Sequence, residues 1–133
     1  MLVTFRGKSI VVYRIEHPPC GEGIWNANKP GEPDTRLYHS FSFRSDLIYI
    51  HQKFPCPQEE RELENVFNPS YFCAYPNKRA FEDWFKKDWF PEIIQAGFRI
   101  YELTLSEAYC SKNQVIFKKE NITLKKDITN EFN

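Results

Sequence analysis

The chain has 133 residues, of which 41% are hydrophobic and 17% aromatic, and its 18 Lys and Arg balance 18 Asp and Glu. A chain of this length suits one domain with a buried core, so a single domain is predicted over residues 1–133. The net charge of zero argues against bulk nucleic-acid binding, because proteins that bind phosphate backbones present an excess of Lys and Arg.

The first strong strand is predicted over residues 9–16, "SIVVYRIE", which are rich in β-branched and aromatic side chains. Its side chains alternate between two faces, so Tyr13 and Arg14 point to opposite faces near the strand end. Residues 17–34 contain four prolines and three glycines, which predicts a long loop. Trp25, in the middle of this loop, is expected either to pack back on the core or to gate a site.

The middle of the chain mixes strand and helix signals. Residues 35–45 alternate partly, with Leu37, His39, Phe41 and Phe43 on one face, and predict a strand. Residues 47–54 fit a strand or a short helix. Residues 55–67 open with proline followed by acidic side chains, which favours a surface helix. Residues 70–76 predict a buried strand that ends at a proline.

Two further short helices are predicted, over residues 77–87 with Asn77 as N-cap and over residues 88–97 with Asp88 as N-cap and Gly97 as the stop. A strand follows over residues 98–106, then a closing hairpin over residues 112–128 whose lysines predict a solvated or protected edge. Residues 129–133 are expected to fray. This order predicts an α+β fold with a mostly antiparallel or mixed sheet and two or three short helices.

No stretch approaches a membrane span, and the first residues lack the apolar run of a secretory signal. The cysteines have no close pair of the kind that structural zinc sites use; they are Cys20, Cys56, Cys73 and Cys110. We therefore expect a cytoplasmic protein without a metal site, with free and mostly buried thiols. His17 and Cys20, separated by two prolines, are a weak candidate for a nucleophilic pair.

Polar side chains at predicted strand ends are the candidates for a binding site. Arg14 offers fixed donors for phosphate or carboxylate, serine hydroxyls add adaptable hydrogen bonds, and an amide pair can recognise a polar group. Trp25 would close the loop over the ligand. The predicted ligand-binding residues are Tyr13, Arg14, Trp25, Ser40, Ser42, Asn113 and Gln114.

Three segments, "VVYRIE", "YHSFSF" and "NQVIFKKENITLKKDI", follow one another in an order that resembles the ADP-ribosyltransferase fold. The resemblance implies that Arg14 stands in the first motif and that Ser40 and Ser42 stand in the second. It also implies that Asn113, or Gln114 after a shift of one residue, occupies the position of the catalytic glutamate. An amide does not stabilise a developing cation as a carboxylate does, so the resemblance implies the fold more than the reaction, and no catalytic residue is assigned.

A second resemblance, carried by "VYRIEHP", "AFEDWF", "QAGFRIYEL" and "NQVIF", is to short uncharacterised proteins of phages and mobile elements. The favoured hypothesis is thus a small phage-type binding protein without a cofactor, a counter-defence or host-interaction factor in the host cytosol. It would sequester a nucleotide-like ligand or block a host protein. One alternative is an active mono-ADP-ribosyltransferase or NAD-cleaving enzyme that takes its carboxylate from Glu16 or Glu107. Another is a structural or partner-binding module with an aromatic interface.

Overall fold

The longest described strand, β2 (Ile10–His17), is central to the larger of two four-stranded sheets. In the computed structural model, which describes residues 3–4, 9–29, 31–53, 70–111 and 114–132, β2 pairs along its length with β7 (Arg99–Leu105). The sheet order is β10-β7-β2-β3, with β10 (Ile122–Asp127) at one edge and β3 (Glu22–Gly23) at the other. The strands predicted over residues 9–16 and 98–106 are thus confirmed.

The second sheet contains four short strands in the order β1-β8-β9-β6. They are β1 (Val3–Thr4), β6 (Phe72–Ala74), β8 (Tyr109–Cys110) and β9 (Val115–Phe117). This sheet packs on one face of the first sheet through a shared apolar cluster that includes Val12, Leu103, Val115 and Phe117. Every strand pair in the described residues is antiparallel, which confirms an α+β fold with antiparallel sheets.

Three short α-helices and a second apolar cluster cover the opposite face of the larger sheet. The helices are α1 (Arg44–Lys53), α2 (Lys78–Trp84) and α3 (Phe90–Gln95). Asn77 caps α2 as predicted, since its Oδ1 accepts a hydrogen bond from the Ala80 N–H at 2.8 Å. The prediction that Asp88 caps the next helix is wrong, because a 3₁₀ turn over Lys87–Trp89 precedes α3 and makes Trp89 its N-cap.

The strand predicted over residues 35–45 is also wrong. The chain forms a two-stranded ladder from β4 (Asn28–Lys29) and β5 (Glu32–Arg36), then a 3₁₀ turn over Leu37–Ser40, and enters α1 at residue 44. Leu37, Phe41 and Phe43 are buried from this irregular segment while His39 is exposed, so their spacing imitated the alternation of a strand. The helix predicted over residues 55–67 lies outside the described residues.

The closing hairpin predicted over residues 112–128 is wrong in its pairing. Its two strands, β9 and β10, exist and are joined by a 3₁₀ turn over Lys119–Asn121. However, β9 pairs with β6 and β8, whereas β10 pairs with β7 in the other sheet. All three residues of β9 are buried, which fits an inner strand. The lysine-bearing β10 is an edge strand, as its composition indicated.

A hydrogen-bonded carboxylate fixes the end of the chain, where residues 129–132 form a 3₁₀ turn. Asp127 Oδ1 accepts from the backbone N–H of Thr129 at 2.9 Å and from its hydroxyl at 2.5 Å, and Oδ2 accepts from Arg99 Nε at 2.9 Å. Burial raises the pKa of Asp127, but the bonds from Thr129 and Arg99 outweigh it, and the pKa is lowered overall.

This lowered pKa predicts an acid-dependent contribution to stability. The contribution is complete above the unfolded pKa of about 3.9 and is lost as the pH falls through the lower folded pKa. We therefore expect Asp127→Asn to destabilise the protein more at pH 7 than at pH 3, as measured by urea unfolding at both values. A loss of stability in Asp127→Asn that is equal at the two pH values, or larger at pH 3, would contradict the lowered pKa of Asp127. Asp88→Asn, at an exposed carboxylate whose side chain caps no helix, is the control.

Candidate functional site

A cleft of about 330 Å³ opens where the two sheets meet, beside the side chain of Arg14. At this corner the backbones of Tyr13 and Tyr75 exchange two hydrogen bonds, at 3.0 and 2.9 Å, which join β2 to the residue after β6. Five aromatic residues line the cleft together with Arg14, Glu22, Gly23 and Asn26. The aromatic residues are Trp25, Tyr71, Phe72, Tyr75 and Phe85.

The guanidinium of Arg14 is the buried charge of this cleft, with only 6% of the residue exposed. Nη1 donates to the Cys73 carbonyl at 2.6 Å, Nε donates to Glu16 Oε2 at 3.1 Å, and the group lies over the Phe72 ring at 5.0 Å. The remaining guanidinium N–H groups meet no acceptor within the described part of the chain. A Cβ on Gly23 would lie 3.5 Å from both terminal nitrogens, which is an ordinary van der Waals contact. Donors therefore remain for a ligand.

Glu16 links Arg14 to a second cation. Its Oε1 accepts from Lys125 Nζ at 2.7 Å, and the same ammonium lies 4.3 Å from the centre of the Tyr101 ring. Glu16 is 8% exposed, whereas the Lys125 side chain is 41% exposed. One carboxylate thus faces two cations in this group of three side chains, and Glu22 adds a second carboxylate to the lining of the cleft.

The aromatic wall is held in place by ring contacts that continue into the core. Trp25 meets Tyr38 edge-on at 5.3 Å, and Tyr75 contacts Phe85 at 5.5 Å and Phe81 at 5.6 Å. Burial raises the pKa of Tyr75 far above its ordinary value, so its hydroxyl stays neutral at physiological pH. The Trp25 side chain packs on the core, as the first of its two predicted roles requires, and it also lines the cleft. Its role in gating a site stays a prediction.

Among the predicted ligand-binding residues, the structure brings Arg14 and Trp25 together in this cleft. Tyr13 lies on the other face of β2, with its hydroxyl 3.5 Å from Glu102 Oε2, and burial together with that carboxylate raises the pKa of the phenol. The two serines lie elsewhere. Ser40 Oγ donates to the Leu37 carbonyl at 2.7 Å.

Ser42 and Gln114 are engaged in local structure away from the Arg14 cleft. The backbone N–H and hydroxyl of Ser42 donate to the two carboxylate oxygens of Glu92 at 2.7 and 2.5 Å, which ties the start of α1 to α3. Gln114 is buried, and its backbone N–H donates to Ser111 Oγ at 3.1 Å while its carbonyl accepts from Ser111 N at 2.8 Å. Asn113 lies outside the described residues.

The sequence did not predict most of the residues around Arg14, because they come from distant segments of the chain. Cys73 and Lys125, which contact Arg14 and Glu16, are 59 and 109 residues away from those partners in the chain. The available signal was the polar end of β2, where Arg14 and Glu16 lie two residues apart on one face. Over the described ranges, no group of three or more His, Cys, Asp or Glu side chains is arranged to hold a metal ion. No described helix is long and apolar enough to cross a membrane.

The comparison with known proteins gives one family. The family model of the bacteriophage T4 Y00F protein matches residues 3–131. No curated protein and no solved structure gives a significant match. The match confirms the predicted resemblance to phage proteins, and nothing in these comparisons supports the predicted resemblance to the ADP-ribosyltransferase fold. Because the matched region spans almost the whole sequence, this chain belongs to the bacteriophage T4 Y00F protein family.

Proposed function

We propose that this phage-family protein binds a small nucleotide-like ligand, one that combines a planar ring with an anionic group, in the cleft beside Arg14. The observation that carries the proposal is a buried guanidinium that lines an aromatic cleft while retaining N–H donors. A buried charge is costly unless it is paired and hydrogen-bonded, and Arg14 is held in the cleft by Glu16 and the Cys73 carbonyl.

The charges around Arg14 favour an anionic ligand. Glu16 is shared between Arg14 and Lys125, so its single negative charge compensates only one of the two cations. A phosphate or carboxylate that accepts from the remaining N–H groups of Arg14 would pair directly with the guanidinium, in a cleft whose lining also holds the Glu22 carboxylate. Guanidinium groups bind such anions with two parallel hydrogen bonds, which also fixes the orientation of the ligand.

The aromatic wall favours a planar ring. Trp25 and Tyr75 come from different segments and line the same cleft as Arg14, whereas Phe85, also in the lining, is 1% exposed and belongs to the core. Stacking of a nucleobase on an aromatic side chain contributes about 1–3 kcal/mol, and it tolerates different bases. The volume of about 330 Å³ is at the small end of ligand sites, which suits a mononucleotide-sized molecule.

In this proposal the protein acts by sequestration, as a counter-defence or host-interaction factor that removes a nucleotide-like molecule from the host cytosol. Blocking a host protein is the alternative mode. Catalysis has less support, because both carboxylate oxygens of Glu16 are occupied by Arg14 and Lys125. Glu107 lines a separate cavity, so it is not placed to serve as the catalytic carboxylate of the Arg14 cleft.

Calorimetric titration with AMP, ADP-ribose and NAD tests the proposal. We expect binding of at least one of these, weakened about tenfold by Trp25→Ala and by Arg14→Lys, because the first removes a stacking surface and the second removes the planar fork. Ser40→Ala, outside the cleft, is the matched control and should leave the affinity unchanged.

Absence of binding at millimolar ligand would overturn the proposal, as would equal affinity losses in Trp25→Ala and Ser40→Ala. Nicotinamide release from NAD by the same protein would show instead that the chain is an enzyme that uses NAD as its substrate. Co-purification of one host protein, without nucleotide binding, would favour the partner-binding alternative.

A further inference from the structure

The segment "HPPC" at the end of β2 forms a tight turn that brings its first and last side chains together. The backbone N–H groups of Cys20 and Gly21 both donate to the His17 carbonyl, at 3.1 and 2.7 Å, and Gly21 adopts a positive φ of 73°. Pro18 and Pro19 restrict the backbone between them. The turn places Cys20 Sγ 3.4 Å from His17 Nδ1.

The imidazole of His17 is fixed from its other side by the core. His17 is 4% exposed, its ring packs on Phe98 at 5.1 Å, and its Nε2 lies 3.1 Å from the position that a Cβ on Gly97 would take. Burial lowers the pKa of His17 below its ordinary value, so the imidazole is neutral at pH 7. In the tautomer protonated at Nε2, its Nδ1 is an acceptor for the Cys20 thiol proton.

The sulfur of this pair is open to a cleft of its own. Cys20 is exposed and lines a cavity of about 350 Å³, together with Glu16, Lys119 and Lys125. Among the described residues, this second cleft shares Glu22 and Phe72 with the Arg14 cleft. Its size admits a small molecule at the thiol.

We propose that Cys20 is a nucleophilic thiol, with His17 as its base, that exchanges with low-molecular-weight disulfides entering this second cleft. The Cys20 proton passes to His17 Nδ1, and the thiolate attacks one sulfur of the disulfide. The S–S bond of the small molecule breaks, its second sulfur leaves as a thiolate, and that thiolate takes the proton back from His17. Cys20 ends in a mixed disulfide, and the small molecule is reduced to one free thiol.

The other described cysteines are less exposed than Cys20. Burial raises the pKa of the Cys110 thiol to about 11, which keeps it protonated, and Cys73 is half-buried in β6. Cys110 is therefore the internal comparison for Cys20. The prediction of mostly buried thiols is corrected at Cys20, because its turn projects from the end of the sheet into solvent.

The proposal is tested by the rate of exchange with 5,5′-dithiobis(2-nitrobenzoate) in the folded full-length chain. Cys56→Ser serves as the background, because Cys56 lies outside the described residues. We expect one fast phase that disappears in Cys20→Ser and persists in Cys110→Ser. A fast phase that survives Cys20→Ser would overturn the assignment.

The pH profile separates a paired thiol from a merely exposed one. In a thiol–imidazole pair the proton moves within the pair, so the reactive fraction changes little between the two pKa values. The elements that contact the imidazole also carry charged residues: Glu22 is opposite His17 in the β2–β3 pair, and Arg99 follows Phe98 in the sequence.

Between pH 6 and 8 we expect the Cys20 rate to rise less than about tenfold, against roughly 75-fold for an ordinary thiol of pKa 8.5. His17→Gln retains an acceptor but does not titrate, and should restore the steep profile. A steep profile in the unmodified chain would overturn the proposal without the use of any His17 variant.

Discussion

Replacing Arg14 with alanine is expected to lower the free energy of unfolding by about 3 kcal/mol, the low end of the range for a broken buried ion pair. The change leaves the Cys73 carbonyl without its 2.6 Å donor and removes one partner of Glu16. The loss stays at the low end because Lys125 still contacts Glu16 at 2.7 Å. Urea unfolding at pH 7 measures it.

Two variants of the same group of charges make this prediction specific. Lys125→Ala removes a side chain that is 41% exposed, so we expect a loss of only about 0.5 kcal/mol. The double variant Arg14→Ala/Lys125→Ala leaves Glu16 with neither cation, and its loss should exceed the sum of the single losses. Equal losses for the two single variants would contradict the view that Arg14 is the buried anchor.

Arg14 and its neighbours show which features of the site could be predicted from the sequence. The polar end of β2 indicated Arg14, because alternation and polarity are local properties of one strand, and the structure places this residue in the lining of a cleft. The sequence could not predict that Cys73 contacts Arg14 or that Lys125 contacts Glu16. No local pattern specifies which distant strand packs against the end of β2. Strand pairing depends on the burial of whole faces, which is a property of the assembled sheets.

The error over residues 112–128 has the same origin. A polar turn between two short β-rich segments is the local signature of a hairpin, and the sequence has it. What separates the two strands is burial: Val115, Ile116 and Phe117 are all buried, whereas most of β10 is exposed. An inner strand and an edge strand therefore joined different sheets, and Gln114, which comes just before β9, is not part of a closing hairpin.

Replacing Phe81 with alanine is expected to cost about 3–5 kcal/mol of stability, because its ring is fully buried at the centre of the aromatic cluster. The ring lies 5.4 Å from Phe85, 5.6 Å from Tyr75, 5.7 Å from Phe90 and 5.5 Å from Phe132. A cavity there would remove packing from α2, α3 and the last 3₁₀ turn together. Phe81→Leu, which fills most of the space, should cost less, and urea unfolding of both variants measures the difference.

The Phe81 substitution also tests whether the cleft depends on the core beneath it. Tyr75 and Phe85, which contact Phe81, both line the Arg14 cleft, whereas Phe81 does not. If the aromatic wall must be held in place to bind a planar ring, Phe81→Leu should weaken nucleotide affinity in the folded protein. It should also leave the exchange rate of Cys20 unchanged, because that thiol lies in the second cleft. Loss of both properties together would indicate general unfolding instead of a displaced wall.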